Sequence, residues 1–420
     1  MDTVKIEKKD SLLLFLLFFV SFLIAVGIFD SGISKTISGF LKLQVHPARL
    51  INDFIEIAGI GSALFNAAMV GIIGIILIKL AGIQFSGPTF AAILTMAGFG
   101  LFGKTPLNIL PIVLGVYISA KVVNKTFKDY LIIALFGTAL GPLVSTIAWE
   151  IGMPLIPAIL TAVAGGIVTG FLLPPIAFSM LHLHQGYNLY NMGLTCGFFG
   201  LFTSALIRGL GHSYSATIYW YDGPSLILKM IIPVLSILLI IVGLARGGRK
   251  SLKNFLEVLT IPGRLPSDFV DLASLSGTFI NSGLIGIFGS LYIFIIDAPF
   301  NGPVIGGLLT IMGFGAFGTH VKNSWPVVAG VIIATFASGN SLKAPGPVLA
   351  AIFSTTLSPL AGEFGIFAGF IAGVIHLFMV MQTGAWSGGM NLYNNGFAGG
   401  LTAALIISVI QWYRTNKEEF

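Results

Sequence analysis

Charge is what this sequence mostly does without. Asp, Glu, Lys and Arg together make up 9% of its 420 residues, against about 25% in ordinary soluble domains. So few charges cannot cover an aqueous surface, and with 55% apolar residues and a mean hydropathy of +0.96 the chain is expected to live in a membrane. Cysteine is almost missing too. The lone Cys196 excludes an intrachain disulfide and a cysteine-built metal site. Signatures of intramembrane enzymes are wanting: there is no H-E-x-x-H, no G-x-S-G serine, and Tyr221-Asp222 has no G-x-G-D companion. No enzyme activity, no metal and no cofactor is therefore expected. The basic residues behind the net charge of +6 form short clusters between apolar runs. They report topology and argue against nucleic acid, which calls for a basic stripe or a recognisable module.

What is abundant is glycine, 53 residues, and phenylalanine, 35, a mixture suited to helices that approach closely in lipid. Many of these residues recur in order. Phe85, Gly87, Pro88, Leu94, Thr95, Gly98, Phe99, Gly100, Phe102 and Gly103 return as Phe300, Gly302, Pro303, Leu309, Thr310, Gly313, Phe314, Gly315, Phe317 and Gly318, an offset of 303 − 88 = 215. The chain is an internal duplication. It divides into a first transmembrane repeat over 1–210, an external connection over 211–223 and a second repeat over 224–420.

The apolar run 12–29 follows Lys5, Lys8 and Lys9 in the manner of a secretory signal. Its length, the lack of a small-residue cleavage site and its pairing with the mid-chain span 226–244 predict a retained first transmembrane helix instead. Each half holds seven apolar segments, this run being the first, and the third and fourth of each are shorter than the ~20 residues a crossing needs. They are either tilted short crossings or the arms of a re-entrant hairpin. Both choices leave an odd number of crossings per half, so the second half enters from the opposite side. Charge agrees: 121–129 holds Lys121, Lys125 and Lys128 where its counterpart has Lys343, while 246–264 is the richer member of the other pair. The expected fold is all-α and polytopic, two inverted-topology repeats with both termini cytoplasmic in a cell membrane. Residues 33–55 are read as an amphipathic interfacial segment, with Asp30, Asp53 and Glu56 offsetting Lys35, Lys42 and Arg49.

Ser86-Gly87-Pro88 and Asn301-Gly302-Pro303 read as helix starts, a capping residue followed by proline in the first turn. Free amides from Thr89 and Val304 onward, with the positive end of the helix dipole, make each start a candidate solute site. Thr95 and Thr310 lie behind them. Asn66 and Asn281 sit mid-span and either glue helices or bind the solute. A second repeated word, Asn188-Leu189-Tyr190-Asn191, returns at offset 203 as Asn391-Leu392-Tyr393-Asn394 and is read as a gate or cavity wall. His182 and His184 precede only the first copy and, with Glu150 and Glu363 at span ends, are candidates for proton coupling. Gly98 to Thr105 fits the P-loop pattern, yet closes a helix where that loop must follow a strand. The second copy keeps the glycines and drops Lys104, so packing is the expected role.

The repeated G-P…GFGxFG and NLYN words resemble an uncharacterised family of duplicated bacterial multi-pass membrane proteins, a likeness that covers nearly the whole chain. Looser are the similarity of Asn301-Gly302-Pro303 to the start of the re-entrant segment in urea channels and of the seven-plus-seven count to nucleobase and sulfate carriers. Together these features predict an alternating-access transporter of a small neutral or singly anionic solute. A passive urea-like channel and a membrane-embedded enzyme or scaffold are the alternatives. Membrane lipid and the solute are the expected partners, and a homo-oligomer is left open.

Overall fold

A computed structural model describes residues 2–212 and 217–418; of the expected connection, 213–216 lie outside the described residues. The first half folds as α1 (Asp2–Ser31), α2 (Ile33–Gln44), α3 (Phe54–Ala58), α4 (Ile60–Leu80), α5 (Gly87–Phe99), α6 (Pro106–Val122), α7 (Phe127–Gly137), α8 (Gly141–Trp149), α9 (Leu155–His184) and α10 (Asn191–Gly209). The second half gives α11 (Leu226–Gly247), α12 (Ser251–Val258), α13 (Phe269–Leu272), α14 (Leu275–Ile295), α15 (Gly302–Phe314), α16 (Val321–Ala337), α17 (Pro345–Phe353), α18 (Ser358–Phe364), α19 (Ile366–Trp386) and α20 (Asn394–Glu418). Each helix of the first half has its counterpart ten numbers later. The fold is all-helical, and among the described residues the β structure is one isolated bridge between Asn52 and Tyr219.

Nine helical segments are long and apolar enough to cross a membrane, counted among the described residues. The chain is a multi-pass membrane protein. Large apolar side chains such as Leu160 on α9 and Phe367 on α19 stand 66% and 78% exposed, a surface that only lipid would cover without cost. The interior is the reverse. All of α15 and all of α5 except Pro88 are buried, so these two 13-residue helices form the centre of the molecule.

Glycine lets them meet. Contacts pair Gly87 with Ala316, Ala91 with Gly313, Gly98 with Gly306 and Leu101 with Gly302. One number falls as the other rises, so α5 and α15 lie antiparallel. At the crossing, a Cβ on Gly98 would come within 2.6 Å of the Gly306 carbonyl oxygen, which leaves no room for any side chain. A second crossing, of α10 with α20, brings Gly193 against Gly396.

The 33–55 segment is only partly interfacial. Helix α2 is amphipathic and largely exposed, but Asp53 is fully buried and Arg49 nearly so. These two charges are therefore structural and do not simply balance a surface.

Candidate functional site

Both Gly-Pro units start helices as their sequence predicts. The Ser86 amide bonds Thr89 Oγ1 at 2.8 Å, and Asn301 Oδ1 accepts from the Val304 amide at 3.1 Å. The Val304 amide, expected to face a solute, is thus held by Asn301, and the glycine amides at the first position of each helix have carboxylate partners. Asp268, from the opposite half, takes the Gly87 amide on both oxygens at 3.2 and 3.1 Å. Asp53 takes the Gly302 amide at 3.2 Å, together with those of Ile55 and Tyr221. Asp53 and Asp268 are themselves partners at the 215 offset, so the interlock is reciprocal. Burial pushes the Asp53 carboxyl up to about 7 against the lowering effect of its three amide donors, and raises Asp268 as well. Pro88 and Pro303 follow these clamped positions, and Thr89 is spent in the capping box.

Asn66 and Asn281 do not line the cavity described below. Asn66 donates to the carbonyls of Gly100 and Lys104 at 2.6 and 2.8 Å, and Asn281 to those of Gly315 and Thr319 at 2.7 and 2.8 Å. They are matching struts beneath the turns that follow α5 and α15.

A central cavity of about 300 Å³ does collect other candidates. Its wall includes seven matched pairs from the two halves: Thr95 and Thr310, Phe99 and Phe314, Phe136 and Phe353, Leu189 and Leu392, Tyr190 and Tyr393, Met192 and Asn395, Gly193 and Gly396. Thr310 returns its hydroxyl to the Gly306 carbonyl at 2.8 Å. Thr95, 2% exposed, has a buried hydroxyl with no protein partner. The remaining wall breaks the symmetry. Ile132, Ile133, Leu181, Leu265, Pro266 and Phe317 line the cavity, whereas their counterparts Leu349, Ala350, Gly384, Leu50, Ile51 and Phe102 do not. The lining set is partly or fully exposed; of the counterparts, Leu349, Ala350 and Phe102 are buried and Leu50, Ile51 and Gly384 half-buried. The mouth therefore opens at the end that carries Lys121, Lys125, Lys128 and Arg264.

Of the NLYN words, the tyrosines and Asn191 reach the cavity and the other asparagines hold the loops. Asn188 donates to the carbonyls of Tyr190 and Gly396, and Asn391 to that of Gly193. Asn191 and Asn394 tie α10 and α20 back to Ala177 and Val380, at 3.1 Å in both halves. His182 and His184 are not brought together: His184 bonds Asn191 at 2.9 Å inside the protein, while the exposed His182 bonds the Phe178 carbonyl. Glu150 forms a two-pronged ion pair with Arg49 at 2.7 and 2.9 Å, far from the mouth, and Glu363 is exposed.

Sequence reasoning set Lys104 aside as part of a packing motif. No mid-span cation was expected near these motifs, yet its side chain is fully buried at the centre. The amine donates to Thr138 Oγ1 at 2.8 Å, bonds the Tyr393 hydroxyl, and lies 4.6 Å from the Tyr393 ring centroid and 5.7 Å from that of Phe99. Both rings line the cavity. Among the described residues no carboxylate pairs with this amine. The available signal was the break in the repeat, Lys104 answered by Thr319.

No curated protein matches the chain, and no solved structure does, so the likenesses to urea channels and to nucleobase or sulfate carriers gain no support. A family model described as a protein of unknown function, DUF1576, matches residues 33–209 and 248–412. With both halves and most of the length matched, the chain belongs to the DUF1576 family.

Proposed function

We propose that this protein is a transporter that carries a small neutral or singly anionic solute, chemically unchanged and without a cofactor, by alternating access between two inverted halves. The observation that carries this reading is the cavity wall: seven matched pairs surround the centre, while the mouth residues line it without their counterparts. A site shared by two equivalent halves, open at one end and packed shut at the other, is what one state of an alternating cycle requires. The antiparallel crossing of α5 and α15 supports inversion, since a twofold axis in the membrane plane relates antiparallel helices. A passive channel would need an opening at both ends at once. With the basic loops on the cytoplasmic side, both termini are cytoplasmic and the cavity faces inward.

Single cysteines at Ile133 and at its counterpart Ala350, in a Cys196→Ser background, test this with a membrane-impermeant thiol reagent. The Ile133 variant should label from the basic-loop side and the Ala350 variant from the other side, at a rate limited by the conformational exchange. Labelling of both from one side, or none at Ala350 under any condition, would remove alternating access.

A further inference from the structure

The cavity has an almost wholly apolar wall and a single buried amine directly behind it. Six aromatic rings, Phe99, Phe136, Tyr190, Phe314, Phe353 and Tyr393, enclose the centre. Such a wall disfavours an inorganic anion or a urea-like molecule, which would exchange its hydration for hydrocarbon. It suits a molecule with an apolar or aromatic body. Lys104 supplies the other requirement. An ammonium held away from water with no carboxylate partner is costly, and an anion placed within a few ångströms in a low-dielectric interior offsets that cost.

The other places where an anion could bind are taken. The amino termini of α5 and α15 are held by Asp268 and Asp53, and Arg49 is paired with Glu150. Nor does the second half supply another buried cation at the matching place, because the position equivalent to Lys104 is Thr319, fully buried and with its hydroxyl unpartnered. One cation calls for one negative charge. The groups facing the amine are Thr138, Tyr393, Phe99 and the buried thiol of Cys196, none of them a carboxylate. The free hydroxyl of Thr95 gives the charged end of a ligand one further donor on the cavity wall.

We propose that the solute is an organic monoanion with an apolar body, of the aryl or short-chain carboxylate class, whose charge is read by Lys104 through the Tyr393 hydroxyl. This rests on the transport reading only for the place where the solute sits.

Thermal stability of the purified full chain in detergent near neutral pH, titrated with benzoate and phenylacetate, with benzamide and phenylacetamide, and with sulfate, tests it. The two acids should bind at least about tenfold more tightly than their amides, and sulfate should leave the melting temperature unchanged. Lys104→Met should abolish the preference for acids. Should that variant not fold, Tyr393→Phe breaks the relay while keeping the lysine, and should reduce the same preference. Equal binding of acids and amides, no binding of either acid, or an unchanged preference in the folded variants would overturn the proposal. Acids that bind in a Lys104-dependent way but are not accumulated by proteoliposomes would uphold it and sink the transport reading instead.

Discussion

At Gly98 and Gly306 a single methyl group decides whether the halves can meet. A Cβ at either position would lie 2.6 or 2.4 Å from the carbonyl oxygen of the other, and backbone has nowhere to retreat. Overpacking of this kind costs about 1–3 kcal/mol or more. Gly98→Ala should therefore lower the melting temperature and the yield of monodisperse protein, while Gly209→Ala, where nothing lies within 4 Å, should not. The same geometry removes Gly87 from the residues that can be tested as an open solute contact, since its Cβ would meet the Ala316 carbonyl at 2.3 Å and Asp268 at 2.6 Å. Thr95 offers a cleaner test. Thr95 lines the cavity and its hydroxyl is unpartnered while Thr310 bonds its own helix, so Thr95→Val should weaken binding of whatever ligand the cavity takes several-fold, with Thr310→Val the milder change; equal effects would mean that the free hydroxyl is not used. These two threonines were visible in the sequence because duplication marks paired positions. Lys104 was visible as a break in the repeat but was assigned to packing, because its contact with Tyr393 joins residues 289 apart in the chain.

Short helices that begin on Ser-Gly-Pro and Asn-Gly-Pro can be read directly from local capping chemistry. Their partners cannot, because Asp268 is 181 residues from Gly87 and Asp53 is 249 from Gly302, and only the folded chain shows that each half caps the other. The consequence is measurable through pH. The native carboxyl of Asp53 lies at about 7 against an ordinary 3.8, so the folded state holds this proton more tightly than the unfolded chain. Its stabilising contribution is then complete below the ordinary value and is lost as pH rises through about 7. At ~1.4 kcal/mol per pH unit the full difference reaches roughly 4 kcal/mol. Asp53→Asn should flatten the dependence of melting temperature on pH between about 4 and 7. An unchanged slope would show that another group carries it. The amides of Asn66 and Asn281 teach a related lesson about elements: a buried amide in lipid must find partners, but the sequence does not say whether these are carbonyls of the next turn or a ligand.

Duplication, all-helical class and membrane residence were legible across the whole chain, because composition and a constant offset survive without any knowledge of contacts. What the sequence could not show is the difference between the halves, since identical words adopt unlike surroundings at the two ends of one cavity. The ends are told apart by specific contacts. Arg49 meets Glu150 at one end, whereas Arg264, its equivalent, is exposed, bonds the Gln185 carbonyl at 2.8 Å and stacks 4.5 Å from the Tyr187 ring centroid. Lys343, on the connection between α16 and α17, bonds Asp297 between α14 and α15 at 2.7 Å, which places those two connections at the same end. Asn124, in the connection equivalent to that of Lys343, is exposed, as is Lys253 on α12. If the halves are inverted, equivalent connections emerge on opposite sides, so single cysteines at Asn124 and Lys253 should react with an impermeant reagent from the cytoplasm and one at Lys343 from outside. Reaction of Asn124 and Lys343 from the same side would make the repeats parallel, and the cavity would then lie between two halves unable to exchange roles.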